Sequence, residues 1–297
     1  MKHWIQAARL RTLPLSVSGI IVGSFYAMHQ GLFDWRIFSL AIVTTLGLQI
    51  LSNFANDYGD GVKGTDNETR IGPERAIQSG AISVKQMKNG IILTSALTFL
   101  VAVLLIYISF GKENFLYTLL FLVLGITSIV AALKYTLGSS AYGYRGLGDV
   151  FVFLFFGLLS VLGSYFLYAK QLDWVLMLPA CAVGLLSAGV LNLNNMRDEL
   201  SDRVSNKNTL VVKIGGKNAK TYHFIILIVA VIALLVFAFM KGFSLVQYLF
   251  LIGFIPVLLH LKRIANYQNP KQYDPELKVL SLSTFLISVL LSIVLNV

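Results

Sequence analysis

The sequence predicts an all-α integral membrane protein, a polytopic bundle of nine transmembrane helices. Three observations support this fold class. Of the 297 residues, 56% are hydrophobic and only 13% are charged, and the mean hydropathy of +0.74 lies well above that of a soluble domain. The apolar residues are grouped in runs of about 20, the length with which an α-helix crosses a bilayer. The basic residues between these runs alternate between two sides, as in a multi-pass protein.

Nine apolar runs follow one another along the chain. They cover residues 13–33, 36–55, 91–110, 115–134, 148–169, 173–194, 222–240, 244–261 and 279–297. The first run follows Arg9 and Arg11 but is too long for a secretory signal and lacks a small-residue cleavage site, so we expect it to be retained as a helix. Residues 1–297 are expected to form a single transmembrane domain.

The basic residues predict the topology. With nine helices, all but four of the 24 Lys and Arg residues fall on the side of the N-terminus. Because basic residues accumulate in cytoplasmic loops, we expect the N-terminus in the cytoplasm and the C-terminus outside. The net charge of +10 then reflects topology and attraction to anionic membrane lipid. No motif supports nucleic-acid binding.

Two acidic clusters stand at the ends of apolar runs on the predicted cytoplasmic side. Their members are Asn53, Asn56, Asp57, Asp60 and Asp66 in the first cluster, and Asn194, Asn195, Asp198 and Asp202 in the second. The paired aspartates are three and four residues apart, so each pair projects from one face of a helix. Mg²⁺ takes oxygen ligands and is commonly shared between carboxylates and substrate phosphates. Two facing pairs therefore predict a site for a metal-bound diphosphate.

Both clusters border long polar stretches, residues 56–90 and 195–221, where we expect loops that carry function. Each cluster starts with an Asn four residues before an Asp, a pattern compatible with internal duplication of the motifs at 53–66 and 194–202. Gly59, Gly61 and Gly64 are expected to let the backbone approach a ligand. For the second cluster, ion pairs with Arg197 and Arg203 are an alternative explanation.

A diphosphate also requires cationic partners. The candidates on the cytoplasmic side are Arg70, Arg75, Lys134, Arg145, Arg197, Lys207 and Lys213. Lys134 ends an apolar run, so its side chain is expected either to reach into the bundle or to extend to the interface.

An acid, several aromatic residues, one cysteine and four histidines lie outside the two acidic clusters. Asp149 leads into the fifth run, and Phe151, Phe155 and Phe156 are candidates for a tunnel lining. The single cysteine, Cys181, excludes an internal disulfide. The four histidines lie near segment ends and are expected to form no ligand set; they are His3, His29, His223 and His260.

Several of these motifs resemble those of a known family. They are residues 56–66 (NDYGDGVKGTD), 70–73 (RIGP), 142–149 (YGYRGLGD), 194–202 (NNMRDELSD) and 207–210 (KNTL). Together they resemble the UbiA superfamily of intramembrane prenyltransferases, whose members carry two Asp-rich motifs after the second and sixth of nine helices. The resemblance covers almost the whole chain and is closest to the branch that prenylates 1,4-dihydroxy-2-naphthoate.

The resemblance implies an enzyme of the bacterial cytoplasmic (inner) membrane, with its active site facing the cytoplasm. It would transfer a polyprenyl group from polyprenyl diphosphate to 1,4-dihydroxy-2-naphthoate, with loss of CO₂ and diphosphate, giving demethylmenaquinone for menaquinone biosynthesis. The cofactor would be Mg²⁺, as two ions, or alternatively Mn²⁺.

The resemblance also implies roles for individual residues. The implied metal ligands are Asn53, Asp57, Asp60, Asp66, Asp198 and Asp202. The implied diphosphate-binding residues are Asn53, Asn56, Arg70, Lys134, Arg145, Asn195 and Lys207. The implied catalytic residues are Asp57, Asp60, Asp198, Asp202, Tyr135 and Asp149.

Two alternatives to this function stay open at this point. Another aromatic acceptor, such as 4-hydroxybenzoate or homogentisate, would use the same fold. A transporter would also contain nine helices with buried polar groups, but transporter sites usually lie near the middle of the bilayer. Here the acids cluster at one edge, which favours the enzyme.

Overall fold

The computed structural model of the protein describes residues 2–65 and 71–297, and the regular secondary structure of these residues is entirely helical. In this part of the chain, nine helical segments are long and apolar enough to cross a membrane, which confirms the predicted number. We name them α1 to α9 in chain order. They are Lys2–His29, Trp35–Val62, Val84–Phe110, Phe115–Lys134, Gly148–Ala169, Trp174–Val204, Gly216–Met240, Leu245–Asn266 and Pro270–Leu295.

Some of these segments are not continuous α-helices. The first, α1, breaks at Arg9, whose φ of 51° is left-handed, so that the short helix Lys2–Ala8 folds onto α2. There the ring of Trp4 packs edge-on against Phe54, with 5.3 Å between the centroids. The middle of α5 is π-helical, and α8 opens with 3₁₀ turns. Such departures from α-helical hydrogen bonding change the direction of a helix locally.

Local sequence explains where several helices begin. The carboxylate of Asp34 accepts a hydrogen bond of 2.8 Å from the backbone N–H of Arg36 at the start of α2. At the start of α3, Ser83 and Gln86 form a reciprocal capping box. These caps satisfy backbone N–H groups that have no partner within the helix.

The bundle is organised around α6, which packs against α5, α7 and α9. In the most apolar window of each segment, 56% of the residues of α6 are buried but only 11% of those of α4, so α6 is central and α4 peripheral. A Cβ on Gly157 of α5 would lie 2.7 Å from the Cα of Gly184 of α6. Close backbone approach through small residues is a common way for helices to pack in membranes.

The helices extend past the predicted apolar runs at the end of the bundle that carries the acidic clusters. The second helix continues to Val62 and α6 to Val204, whereas the runs end at residues 55 and 194. With 28 residues, α2 is about 42 Å long and exceeds the roughly 30 Å of a hydrocarbon core. All four paired aspartates therefore lie on the last helical turns, as their spacing predicted, whereas the stretches 56–90 and 195–221 begin as helix and not as the expected loops.

At the opposite end, a polar cluster joins α1, α7 and the turn before α6. The hydroxyl of Tyr26 donates to Asp173 at 2.5 Å, and Lys241 Nζ donates to the Tyr26 hydroxyl at 3.1 Å. These contacts place the end of α1, the start of α6 and the end of α7 on one side, as the alternating topology requires.

Candidate active site

The two acidic clusters meet at a single ammonium group. Lys207, three residues after the end of α6, places its Nζ 3.4 Å from Asp60 Oδ2 and 3.7 Å from Asp202 Oδ1. All three residues are buried. Burial tends to lower the pKa of Lys207, but the charges of Asp60 and Asp202 outweigh it and raise the pKa above its ordinary value, so the side chain is cationic at neutral pH. The ends of α2 and α6 thus form one site.

Asp60 is the most highly connected carboxylate of this site. Its Oδ2 also receives Arg75 Nη1 at 2.7 Å, and its Oδ1 accepts a hydrogen bond of 2.6 Å from the Tyr144 hydroxyl. Only 1% of Asp60 is exposed. Two cations and a phenol therefore offset the cost of burying this charge.

Asp57 lies one turn earlier on α2 and has a different environment. Its carboxylate accepts backbone N–H groups of Ala76 at 3.1 Å and Ile77 at 3.3 Å. These bonds hold the segment before α3 against the end of α2 and bring Arg75 to Asp60.

The second cluster is organised by Arg197, which is 1% exposed. Its Nε and Nη2 lie 2.9 and 2.6 Å from the two carboxylate oxygens of Asp198. Its Nη1 contacts Asp274 near the start of α9 at 2.5 Å, and its Nη2 also donates to Asn194 Oδ1 at 2.9 Å. The ion pair between Asp198 and Arg197 that the sequence suggested is therefore present, whereas Asp202 faces the first cluster. The role of Asp198 as a metal ligand stays a prediction.

The asparagines of the two clusters are positioned by the protein itself. Asn53 donates to the Ala8 carbonyl at 2.9 Å, which ties the folded-over start of α1 to α2. Asn56 accepts a 3.2 Å hydrogen bond from the Thr136 hydroxyl. Asn195 is buried on α6. Their roles as ligands stay predictions.

Tyr135 lies among the carboxylates of the site. Burial, followed by the charges of Asp149, Asp60 and Asp202, raises the pKa of its phenol, so it is a neutral hydrogen-bond donor. Asp149 is buried and accepts a 3.4 Å hydrogen bond from Tyr222. The structure thus brings both predicted residues to the site.

A row of aromatic rings leads away from Tyr135 along α5. Tyr135 packs edge-on against Tyr142 at 5.3 Å, Tyr142 stacks on Phe151 at 3.8 Å, and Phe151 stacks on Phe155 at 6.1 Å between centroids. Two of the three predicted tunnel aromatics belong to this row. Phe156 is half-buried in the same π-helical stretch.

Four predicted residues lie elsewhere or cannot be placed. Lys134 and Arg145 are exposed beside the site and do not contact the paired aspartates. Asp66 and Arg70 lie outside the described residues.

The structure adds residues that the sequence pattern did not single out. Tyr144 binds Asp60, and Thr136 binds Asn56; Lys63 donates to the Thr136 carbonyl at 2.6 Å. Arg75 was one of seven cation candidates with no feature that favoured it. Membership of the YGYRGLGD motif was the only sequence signal for Tyr144.

Two of the three glycines near the first cluster, Gly59 and Gly61, serve the packing of the protein's own segments, whereas a Cβ on Gly64 would meet no atom within 4 Å. A Cβ on Gly59 would lie 2.7 Å from Thr136 Cβ, and one on Gly61 would lie 2.8 Å from Ile77 Cγ2. These two glycines let neighbouring segments approach α2, instead of a ligand as we expected.

Two of the histidines form a contact that the sequence did not indicate. The Nε2 atoms of His223 and His260 are 2.9 Å apart, and His260 Nδ1 lies 2.6 Å from Glu276 Oε2. This buried chain links α7, α8 and α9, although the three residues are far apart in sequence.

The chemistry of the donor set fits a metal that is shared with a substrate. Within residues 2–65 and 71–297, no three carboxylate, imidazole or thiol groups are placed to hold a metal ion by themselves. The site instead offers hard oxygen donors on two facing helices, with cations between them. This is the arrangement expected where phosphate oxygens supply the remaining ligands.

Known proteins resemble this chain over nearly its whole length. The model of the UbiA prenyltransferase family matches residues 16–296. The 1,4-dihydroxy-2-naphthoate octaprenyltransferase of Haemophilus influenzae is 44% identical over 296 residues, covering 99% of this chain and 95% of that protein. The Escherichia coli protein of the same name is 44% identical over 276 residues, covering 93% and 89%.

A solved structure has the same fold. The UbiA homologue from Archaeoglobus fulgidus, bound to GPP and Mg²⁺, superposes with a TM-score of 0.68 at 13% sequence identity, covering 98% of this chain and 99% of that chain. At this identity the likeness concerns the fold.

Proposed function

Since the chain belongs to the UbiA prenyltransferase family, we propose that it transfers a polyprenyl group from polyprenyl diphosphate to 1,4-dihydroxy-2-naphthoate. The reaction releases diphosphate and CO₂ and gives demethylmenaquinone in its reduced, quinol form, an intermediate of menaquinone biosynthesis. One observation carries the chemistry: Lys207 lies within 4 Å of carboxylates from both acidic clusters. The names of the 44% identical relatives support the acceptor.

We propose that the aspartates bind Mg²⁺ together with the substrate's diphosphate. The ligands would be Asp57, Asp60, Asp198 and Asp202, with Asn53 and Asp66. When bound, the metal would supply positive charge that stabilises the departing diphosphate. We propose two Mg²⁺ ions, for which Mn²⁺ can substitute.

The cations of the site then act on the leaving group. Lys207 and Arg75 already neutralise Asp60. With the carboxylates bound to metal, these two side chains would donate charge-assisted hydrogen bonds to phosphate oxygens. Asn195 and Arg70 are proposed to assist from α6 and from the segment after α2.

The allylic carbon becomes cationic as its bond to the diphosphate oxygen breaks. The aromatic row from Tyr135 to Phe155 offers ring faces that stabilise a cation and excludes water that would capture it. The electron-rich carbon of the naphthoate that bears the carboxylate attacks the allylic carbon, and CO₂ is lost. Tyr135 and Asp149 are proposed to orient the acceptor.

We also propose the orientation in the membrane. The excess of basic residues on the side of the acidic clusters supports an active site that faces the cytoplasm, in the inner membrane of a bacterium. The N-terminus would then be cytoplasmic and the C-terminus outside.

Product formation tests this function. The purified protein is supplied with Mg²⁺, octaprenyl diphosphate and 1,4-dihydroxy-2-naphthoate, and the prenylated, decarboxylated product is sought by mass spectrometry, with EDTA as the control. We expect metal-dependent product. Turnover with 4-hydroxybenzoate or homogentisate alone would replace the acceptor, and inactivity with every acceptor would favour the transporter alternative.

A further inference from the structure

A cleft of about 400 Å³ opens beside the paired aspartates. It lies between the end of α2, the segment before α5 and the end of α6. Its polar lining comprises Lys63, Ser139, Tyr144, Arg145, Ser205 and Asn206. Ligand sites for small molecules typically enclose about 300–1,000 Å³, so the cleft is large enough for a bicyclic aromatic acid.

The cleft is cationic. Of the residues that the structure describes, Lys63 and Arg145 line it and no carboxylate does. Lys63 Nζ donates to the Thr136 carbonyl, and Lys213 Nζ donates to the Arg145 carbonyl, both at 2.6 Å. Neither Lys63 nor Arg145 forms an ion pair with a carboxylate in residues 2–65 and 71–297.

Within residues 2–65 and 71–297, no carboxylate lies within ion-pair distance of the Lys63 ammonium. Partial desolvation lowers the pKa of Lys63. The negative charge of Asp60 raises this pKa, and the positive charge of Lys207 lowers it further. An anion in the cleft would supply the missing negative charge.

Tyr144 connects the cleft to the site. Its side chain lines the cleft, and its hydroxyl donates to Asp60 at 2.6 Å. The ammonium of Lys63 lies 4.0 Å from the centroid of the ring, and that of Lys207 lies 5.4 Å from it. A molecule in the cleft would therefore be one side chain away from the paired aspartates.

We propose that this cleft binds the aromatic acceptor on its way to the site, with Lys63 and Arg145 holding its carboxylate and Tyr144 contacting its ring. The inference rests on the proposed function and reassigns Arg145 from the diphosphate to the acceptor. A water-soluble aromatic acid arrives from the aqueous side, whereas a polyprenyl chain resides in lipid. Free diphosphate shares the negative charge but has no ring to pack against Tyr144.

Steady-state kinetics of Lys63→Gln and Arg145→Gln test the proposal. Each should raise KM for 1,4-dihydroxy-2-naphthoate about tenfold, the effect of one lost charge-assisted hydrogen bond, and leave KM for polyprenyl diphosphate within about twofold. Lys217→Gln is the matched control, because Lys217 is exposed on the same end of the bundle and does not line the cleft. A rise in KM for polyprenyl diphosphate instead, or no change in either constant, would overturn the proposal.

A binding measurement separates this inference from the reaction. The fluorescence of 1-hydroxy-2-naphthoate is titrated against protein in zwitterionic nanodiscs without Mg²⁺ or prenyl donor. The two variants should bind it about tenfold more weakly than wild type, and inorganic diphosphate should displace it poorly. Efficient displacement by diphosphate would assign the cleft to that anion and contradict the proposal.

Different results would contradict the proposed function and the role of the cleft. A wild-type protein that forms no naphthoate product contradicts the proposed function. A wild-type protein that forms product while both variants keep its KM contradicts only the role of the cleft.

Discussion

The paired aspartates of both acidic clusters are buried but are stabilised in different ways. In the first, Asp60 is held by cations from distant segments, Arg75 and Lys207. In the second, Asp198 is held by its sequence neighbour, Arg197, which also pairs with Asp274. The partners of Asp60 come from loops, whereas Arg197 lies within α6.

This difference indicates that the ion pairs of Lys207 can exchange, whereas the ion pair between Arg197 and Asp198 is fixed. Lys207 lies 3.4 and 3.7 Å from its two carboxylates, longer than the roughly 2.7–2.9 Å of a strong charge-assisted hydrogen bond. Arg197 makes two bonds of 2.9 and 2.6 Å to Asp198. We infer that Lys207 can transfer to a phosphate at low cost and that Arg197 keeps Asp198 in place.

The largest effect is expected for the aspartates that share Lys207. Asp60→Asn or Asp202→Asn should each lower kcat by about a thousandfold, or about 4 kcal/mol, because each removes charge that holds the metal and the diphosphate. Product formation by mass spectrometry measures the loss, and size-exclusion chromatography in detergent checks folding.

The double variant sharpens this prediction. If both aspartates serve one diphosphate, the double variant should lose little more activity than either single variant. Losses that multiply would mean that the two clusters act independently.

The second prediction concerns stability. Arg197→Met should destabilise the protein by about 3 kcal/mol, because it removes the guanidinium that donates two hydrogen bonds to the buried Asp198 and also pairs with Asp274. Thermal unfolding in detergent measures this change. Arg203→Met is the control: Arg203 pairs with Glu199 at the exposed surface, and its loss should leave the unfolding temperature almost unchanged. An equal response of both variants would contradict the fixed role of Arg197.

In contrast to Arg197→Met, Lys207→Gln is expected to lower activity with little effect on stability. It should lower kcat by about 30-fold, or roughly 2 kcal/mol, through lost stabilisation of the leaving group, with a smaller change in unfolding temperature than Arg197→Met. Lys207→Arg should restore part of the activity. A large loss of stability with normal kcat would show that Lys207 is a structural ion-pair partner only.

Tyr144→Phe is expected to have the smallest effect. Loss of its hydrogen bond to Asp60 should reduce kcat about fivefold, close to 1 kcal/mol. Tyr142→Phe is the matched control, since the Tyr142 hydroxyl donates to the Ala131 carbonyl and not to an aspartate. Equal kinetics for the two variants would remove Tyr144 from the site.

Regular features of the chain were predictable from the sequence. The apolar runs predicted all nine helices, because each span needs about 20 apolar residues whatever its neighbours are. The spacing of the aspartates predicted that they lie on helices, and Asp60 and Asp202 do meet at Lys207. The ends of α2 and α6 were placed too early, because their final turns are polar and give no hydropathy signal.

Pairings between distant segments were not predictable. Asp60 and Lys207 are 147 residues apart, and their contact depends on how α2 and α6 are rotated and packed. The same holds for His223 and His260, and for Arg75, one of several similar basic residues. The pairing of Arg197 with Asp198 was foreseeable as an alternative because it is local.

The movement of Lys207 from the two aspartates to the diphosphate is tested most directly by a cryo-EM structure in nanodiscs with Mg²⁺ and geranylgeranyl S-thiolodiphosphate. This substrate analogue reacts too slowly to turn over. We expect diphosphate density between α2 and α6. The Lys207 side chain should have moved from Asp60 and Asp202 to phosphate oxygens, and Arg197 should still pair with Asp198. Diphosphate bound elsewhere, with Lys207 still between the two aspartates, would contradict this expectation.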